Sequence, residues 1–211
     1  MMEMLFNTFV VLFVVIDPVG LAPMFAALTH GGSENYKRQM AVKGTILAGV
    51  VLIVFVFVGG PLLRALGIGL PAFQIAGGAL LFLLAIDMVF ARQSGLRSTT
   101  SREQAEAENR KDISVFPLAI PLIAGPGAIT TVLLMASATG HTALQDAARL
   151  AVLFVVLLVT LGSLLLAARL MKLMGETGAN MFTRTFGIIL AALAVQFMLD
   201  GIMSGFMPRL P

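Results

Sequence analysis

The sequence predicts an all-α integral membrane protein: six transmembrane helices form two inverted three-helix repeats, with helices 1 and 4 discontinuous at the membrane midplane. Three observations predict this fold: the composition, the long apolar segments, and the matched spacing of prolines and glycines in the two halves. Of 211 residues, 58% are hydrophobic and 12% are charged, and the mean hydropathy is +0.97. One small soluble core could not bury that much apolar surface, so a lipid bilayer is the expected environment.

Six apolar segments are long enough to cross a bilayer, which requires about 20 residues for a core of ~30 Å. They cover residues 4–28, 41–63, 70–91, 113–138, 150–168 and 182–207. The first segment has no basic region before it and is too long for a signal peptide, so we expect it to be retained as helix 1.

A polar linker of mixed charge, residues 94–112, separates the two halves and is expected to hold a short surface helix capped near Ser101. It divides the chain into repeat 1 (1–93, helices 1 to 3) and repeat 2 (113–211, helices 4 to 6).

The basic residues predict the orientation in the membrane. Of the 14 Lys and Arg residues, eleven follow helices 1, 3 and 5, and only three lie on the other side. The positive-inside rule therefore predicts a cytoplasmic linker and both termini outside the cytoplasm. The basic residues form no basic helix with interleaved aromatic residues, which argues against nucleic-acid binding.

The halves share a spacing that indicates an internal repeat. Pro18 precedes Gly67 by 49 residues, and Pro126 precedes Gly175 by the same distance. Because three is an odd number, consecutive copies of a three-helix unit enter the membrane from opposite sides. Many secondary transporters have such inverted repeats, with the substrate site near the midplane where the repeats meet.

Each repeat carries a helix-start signal inside its first apolar segment. Asp17 can cap free backbone N–H groups, and Pro18 fits the first helical position because it lacks an N–H. In the second repeat, Ala124 or Gly125 takes the cap position before Pro126. Unsatisfied backbone groups are tolerated at membrane depth only beside protein or a watery cavity. Two equivalent breaks therefore predict one shared cavity.

The expected ligand of that cavity is a small zwitterion. A helix N-terminus favours a carboxylate, and the carbonyl groups at the end of the preceding half-helix favour an ammonium group. Gly20, Gly125 and Gly127 allow close approach to the backbone, while Ala128 and Thr130 keep the walls small.

Other polar residues in the apolar segments are few. Asp87 is expected near the cytoplasmic end of helix 3, either as an interfacial anchor or, with Asp17, as a candidate for proton or ion coupling. Gln196 could hydrogen-bond a ligand or another helix. The chain has no cysteine, and His30 and His141 fall in opposite loops, so we expect no metal site and no cofactor beyond a proton or sodium ion.

Three stretches, "IDPVGLAPMF", "FPLAIPLIAGPGAITTVLL" and "LAVQFMLDGI", resemble the MarC family of bacterial inner-membrane proteins. The resemblance implies a six-helix inverted-repeat fold and transport of small neutral amino acids such as glycine and alanine. In a bacterial inner membrane, the termini that the basic residues place outside the cytoplasm are periplasmic. Carried over by position, the implied substrate-site residues are Asp17, Pro18, Gly20, Pro23, Gly125, Pro126, Gly127 and Ala128. Some relatives have asparagine at the position of Asp17, and an amide can cap a helix but cannot carry a proton, so ionic coupling through Asp17 is left open.

The expected function is secondary active transport of a small neutral amino acid by alternating access, with the amino acid and the lipid bilayer as partners. Multidrug or metabolite export is the alternative, although a drug pocket should be roomy and aromatic, and this chain has no Trp and one Tyr. An intramembrane aspartyl hydrolase using Asp17 and Asp87 as a dyad is a further alternative. The coupling ion, the direction of transport and the oligomeric state are left open.

Overall fold

The computed structural model describes residues 2–90, 112–137 and 142–206, which fold into helices and turns with no β-strand in these ranges. The helices are α1 (Met2–Ile16), α2 (Pro18–Leu28), α3 (Glu34–Ala65), α4 (Leu70–Phe90), α5 (Ser114–Ile123), α6 (Pro126–Ser137), α7 (Ala143–Leu165) and α8 (Ala167–Phe206). Five helical stretches are long and apolar enough to cross a membrane, and the bent pair of α5 and α6 can supply a sixth. The all-helical membrane class is thus confirmed. The helix expected near Ser101 lies outside the described residues.

The first span is interrupted at Asp17, between α1 and α2. Asp17 has φ 48° and ψ 69°, in the left-handed region. Pro18 has no N–H, and its ring disfavours helical geometry in the residue before it. Aspartate visits the left-handed region more readily than most residues because its short side chain can hydrogen-bond locally. The sequence therefore places Asp17, which tolerates a left-handed backbone, directly before Pro18, which interrupts the helix.

The fourth span is bent by 59° between α5 and α6. Its first part, α5, has π-type hydrogen bonding and is not the regular half-helix predicted from the sequence. Phe116 and Ile120 have extended backbone angles (φ −131° and −130°), because each precedes a proline and is pushed out of the helical region. The second part, α6, begins at Pro126.

The long helix α3 supports both halves of this bent span through glycines. A Cβ atom at Gly44 would crowd Leu118 of α5, and one at Gly59 would overlap Leu133 of α6. Lys43, beside Gly44, donates a 3.4 Å hydrogen bond to Asp112, just before α5. Because α3 approaches α5 at Gly44 and α6 at Gly59, both halves of the bent span pack against the same continuous helix.

Helix α4 packs antiparallel to the second part of α8, which follows Gly175. Gly187 lies against Met88 near the end of α4, and Gly201 lies against Pro71 near its beginning. The first and second parts of α8 meet at Gly175, whose φ of 64° is outside the helical region. Because glycine has no Cβ, it adopts this angle without the steric cost that other residues incur.

Gly67 and Gly175, the two glycines that the 49-residue spacing equates, both have a positive φ. Gly67 has φ 68° and Gly175 has φ 64°. Each follows a helix that precedes the last long helix of its half, which is α4 in the first half and the second part of α8 in the second. The two equated glycines therefore share a left-handed φ, which Gly31 in the turn after α2 also has.

Large apolar side chains cover the outside of the described bundle. Along α3, Ile46, Val50, Val54 and Phe57 are all exposed, and Phe57 is 64% exposed. A contiguous apolar stripe of this kind is unfavourable in water. It is what a membrane-spanning helix presents to lipid.

Candidate functional site

Asp17 is completely buried, and both of its carboxylate oxygens accept hydrogen bonds. Oδ1 accepts from the backbone N–H of Gly20 at 3.0 Å, so the side chain caps α2 as the sequence predicts. Oδ2 accepts from the hydroxyl of Thr183 at 2.9 Å. The second contact joins the break in the first span to the beginning of the last span, 166 residues away along the chain.

Gly20 is required by this arrangement for steric reasons. A Cβ atom at Gly20 would overlap the carboxylate of Asp17 and the hydroxyl of Thr183. Gly20 therefore lets the carboxylate and the hydroxyl lie directly against the first turn of α2.

Thr183 was not among the site residues predicted from the sequence. It is the second residue of the sixth apolar segment, where a threonine is typical of the membrane interface, and nothing in its neighbourhood indicates a contact with Asp17. The one usable signal is chemical: a buried carboxylate needs donors. Only the packing of α8 against α1 and α2 identifies which residue supplies the second one.

Replacing Thr183 with valine is expected to destabilise the protein. The change keeps the shape but removes a donor to a buried charged group, a hydrogen bond worth about 1.5–3 kcal/mol. For a chain of this size, we expect the melting temperature in detergent to fall by about 5 °C.

Thr185 provides the matched control for this substitution. Its hydroxyl is exposed and bonds only to the carbonyl of Met181 in its own helix, so Thr185→Val should leave the melting temperature nearly unchanged. Thr183→Ser should retain most of the wild-type stability. Equal melting temperatures for Thr183→Val and Thr185→Val would show that the contact with Asp17 contributes nothing.

The two breaks lie next to each other. A Cβ atom at Gly127, the second residue of α6, would sit 3.4 Å from a methyl group of Val15, near the end of α1. The same atom would sit 2.8 Å from Leu84 and 3.2 Å from Leu81 of α4. The beginning of α6 is thus enclosed by the end of α1 on one side and by α4 on the other.

The N-terminus of α6 has free N–H groups in a buried position. Pro126 has no N–H, and the first intrahelical bond runs from Ile129 to the carbonyl of Gly125 at 3.0 Å. Helix geometry leaves the N–H groups of Gly127 and Ala128 without an intrahelical acceptor. No side chain among the described residues accepts from them, although Gly127 is buried and Ala128 is only 3% exposed. Buried donors without acceptors are rare, which makes this position a candidate anion site.

The end of α1 offers the opposite polarity. The carbonyl of Val14 would normally accept from the residue four positions later, but that residue is Pro18, which has no N–H. Val14 is 2% exposed, and its neighbour Val15 contacts Gly127. A carbonyl and a pair of N–H groups, each lacking its helical partner, therefore lie on neighbouring elements.

The other predicted residues of the two motifs differ in burial and in distance from the breaks. Pro18 is buried in the break, Gly125 is half-buried and Pro126 is exposed. Thr130 turns its methyl group against Gly77 of α4. Pro23 lies five residues beyond Pro18 in α2, about 7.5 Å along the helix axis, so it is farther from the break than the other motif residues.

Gln196 and Asp87 do not take part in the contacts described at the breaks. Gln196 is exposed on α8, and its amide donates to Asp200 at 2.7 Å, which satisfies the side chain within its own helix. Asp87 is half-buried in α4 and precedes Met88, which packs against Gly187. No cluster of three metal-ligating side chains occurs in the ranges that the structure describes.

Aromatic side chains pack beside the contact between Asp17 and Thr183. Phe13, one turn before Asp17, stacks on Phe9 with ring centres 5.5 Å apart. Phe13 also meets Phe186 of α8 edge to face at 5.6 Å. These rings hold α1 against α8 where the polar contact forms.

Comparison with known proteins agrees with the membrane architecture. A family model described as "MarC family integral membrane protein" matches residues 2–206. A UPF0056 membrane protein of Archaeoglobus fulgidus is 36% identical over 198 residues, which cover 93% of this chain and 91% of the relative. The UPF0056 membrane protein YvbG of Bacillus subtilis is 33% identical over 207 residues, with 98% and 97% covered. YhcE of Escherichia coli is 31% identical over 209 residues, with 97% and 94% covered. No solved structure matches the chain.

Proposed function

Since the chain belongs to the MarC family of integral membrane proteins, as its sequence motifs indicate, we propose that it is a secondary active transporter of small neutral amino acids. The names of the relatives describe membrane proteins and specify no substrate, so the proposal is based on the geometry of the two breaks. The observation that carries it is the pair of buried N–H groups at the beginning of α6, on Gly127 and Ala128, beside the broken end of α1.

In this proposal the substrate carboxylate binds the N–H groups of Gly127 and Ala128. The first break cannot serve in the same way, because the carboxylate of Asp17 already caps the N-terminus of α2. A helix N-terminus carries about half a positive charge, which favours an anion there. The two breaks thus have different roles, with an internal carboxylate at α2 and the substrate carboxylate at α6.

The substrate ammonium group is assigned to the end of α1. The carbonyl of Val14 lacks its helical donor because of Pro18, and an ammonium group can supply three donors. Val15, Leu81 and Leu84 enclose Gly127, so little room is left for a substrate side chain. The size of this site favours glycine or alanine over larger amino acids or drugs.

The transport cycle in this proposal uses two inverted repeats. The shared φ of Gly67 and Gly175, the helix starts at Pro18 and Pro126, and the antiparallel packing of α4 on α8 support a two-fold relation between the halves. Alternating access is then a rocking of one repeat against the other around a site near the bilayer midplane. The linker lies in the cytoplasm and both termini lie in the periplasm, as the distribution of basic residues favours.

Uptake by proteoliposomes tests this function. Purified protein in sealed vesicles should accumulate labelled alanine or glycine when a proton or sodium gradient is imposed, and empty vesicles should not. Unlabelled glycine should compete, and a large hydrophobic cation such as ethidium should not. Failure to accumulate any small neutral amino acid under either gradient would refute the proposal, and accumulation of ethidium instead would favour the exporter alternative.

A further inference from the structure

A cavity of about 130 Å³ lies between α1, α3, α6 and α7, and none of the residues at the two breaks lines it. Its walls are mainly apolar, and its polar residues are Asp146 and Arg149 of α7. Leu12 and Val132 line it and belong to the two broken spans. Leu12 is five residues before Asp17, and Val132 is five residues after Gly127, about 7.5 Å along each helix. The cavity is therefore separated from the breaks by little more than one helical turn.

Arg149 holds its guanidinium group at this cavity with incomplete hydrogen bonding. Nη1 donates to the carbonyl of Met135, near the end of α6, at 2.7 Å. Nε is buried and has no hydrogen-bond partner among the described residues. The side chain is only 16% exposed, and within the described ranges its acidic partner is Asp146, with 3.9 Å between Nη1 and Oδ1.

This arrangement is costly unless it serves a ligand. A buried cation requires a partner that offsets its lost hydration, and Asp146, at 57% exposure, is a weak one because water screens it. Arg149 lies in the second turn of α7, near the end of the span, where a long basic side chain usually extends to the interface, but here its side chain is largely buried. The cavity volume is close to the ~150 Å³ of cavities that hold a benzene molecule, so an occupant must be small.

We propose that this cavity is an entry site for the transported amino acid, with Arg149 binding its carboxylate and Asp146 binding its ammonium group. A guanidinium group matches a carboxylate in both charge and geometry. The adjacent Asp146 supplies the opposite charge, which a zwitterion needs and a simple anion does not. The identity of the ligand rests on the proposed function, and in the proposed orientation the cavity is on the periplasmic side of the breaks.

Cysteine protection tests this site directly, because the chain contains no cysteine and each single-cysteine variant needs no further change. Ala136→Cys places a thiol in the cavity wall. Ala143→Cys, the same substitution at the exposed beginning of α7, places one outside the cavity. Both variants are reconstituted and treated with a small water-soluble methanethiosulfonate reagent, with alanine, acetate or ethylamine as the competing ligand.

Alanine should slow the modification of Ala136→Cys about tenfold at a concentration ten times its Kd, and it should leave Ala143→Cys unaffected. Acetate and ethylamine each carry one of the two charged groups and should protect less. Adding Arg149→Gln should remove the protection, and Arg149→Lys should restore part of it. Should the Arg149 variants fail to fold, Asp146→Asn provides a second test at an exposed residue, since it should weaken protection by alanine but not by acetate.

The outcomes separate this site from the transport proposal. Alanine uptake without any alanine protection of Ala136→Cys would overturn the entry site and leave the proposed function standing. Protection that persists with Arg149→Gln would overturn the role of Arg149. Protection without uptake would retain the binding site and refute transport.

Discussion

Replacing Gly127 with leucine is expected to abolish amino-acid uptake. Even a Cβ atom at this position would lie 2.8 Å from Leu84 and 3.4 Å from Val15, so a leucine side chain would have to push α6 away from α1 and α4. Overpacking of this kind costs about 1–3 kcal/mol. It would also move the N–H groups that hold the substrate carboxylate in the proposed mechanism. We expect the initial rate of alanine uptake to fall at least about tenfold, which corresponds to ~1.4 kcal/mol in binding.

Gly162 offers a matched control for this substitution. It lies within α7, and a Cβ atom there would meet nothing within 4 Å, so Gly162→Leu should retain an uptake rate close to that of the wild type. Gly127→Ala should be intermediate, because its nearest contact is the flexible end of Leu84. Wild-type uptake by Gly127→Leu in correctly folded protein would mean that the beginning of α6 is not part of the substrate site.

Replacing Asp17 with alanine is expected to be the most destabilising substitution at the breaks. It removes the cap of α2, worth about 1 kcal/mol, and puts alanine in a left-handed conformation that costs about 1–2 kcal/mol. It also leaves the hydroxyl of Thr183 without its acceptor. The combined loss should be about 3 kcal/mol or more, seen as a lower melting temperature and a lower yield of folded protein.

Asp17→Asn separates the structural role of this residue from ion coupling. Asparagine tolerates the left-handed region. Its amide oxygen can still accept from the backbone N–H of Gly20, and its NH2 group can donate to the hydroxyl of Thr183, so the melting temperature should remain near that of the wild type. If Asp17 carries the coupled proton, the variant should still exchange alanine across the membrane. An imposed proton gradient should no longer drive it to accumulate alanine. Stability as low as that of Asp17→Ala would contradict the capping role.

The sequence was sufficient to predict the helical membrane class, the family and the helix starts at Pro18 and Pro126, although several helix ends differ from the predicted segments. Those features depend on local chemistry, since Pro18 and Pro126 act on their immediate neighbours and apolar segments of sufficient length define spans. The break at Asp17 was predictable for the same reason. The repeated positive φ at Gly67 and Gly175 agrees with a spacing that the sequence alone reveals.

The contacts across the bundle could not be predicted in the same way. Thr183 meets Asp17 only because α8 packs against the break, and sequence spacing carries no information on that packing. Gln196 had been expected near a ligand or another helix, but it bonds to Asp200 in its own helix. The extended residues of α5 could have been anticipated, because Phe116 and Ile120 each precede a proline.

The most direct test of the account measures the distance between bound substrate and the beginning of α6. Solid-state NMR on reconstituted protein, with ¹³C-carboxylate alanine bound and ¹⁵N-labelled glycine in the chain, reports this distance through dipolar recoupling, and Gly127→Ala identifies the signal. We expect the carboxylate carbon within about 4 Å of the Gly127 amide nitrogen, as a hydrogen bond requires. Bound alanine with no coupling to that nitrogen would show that the substrate site lies elsewhere.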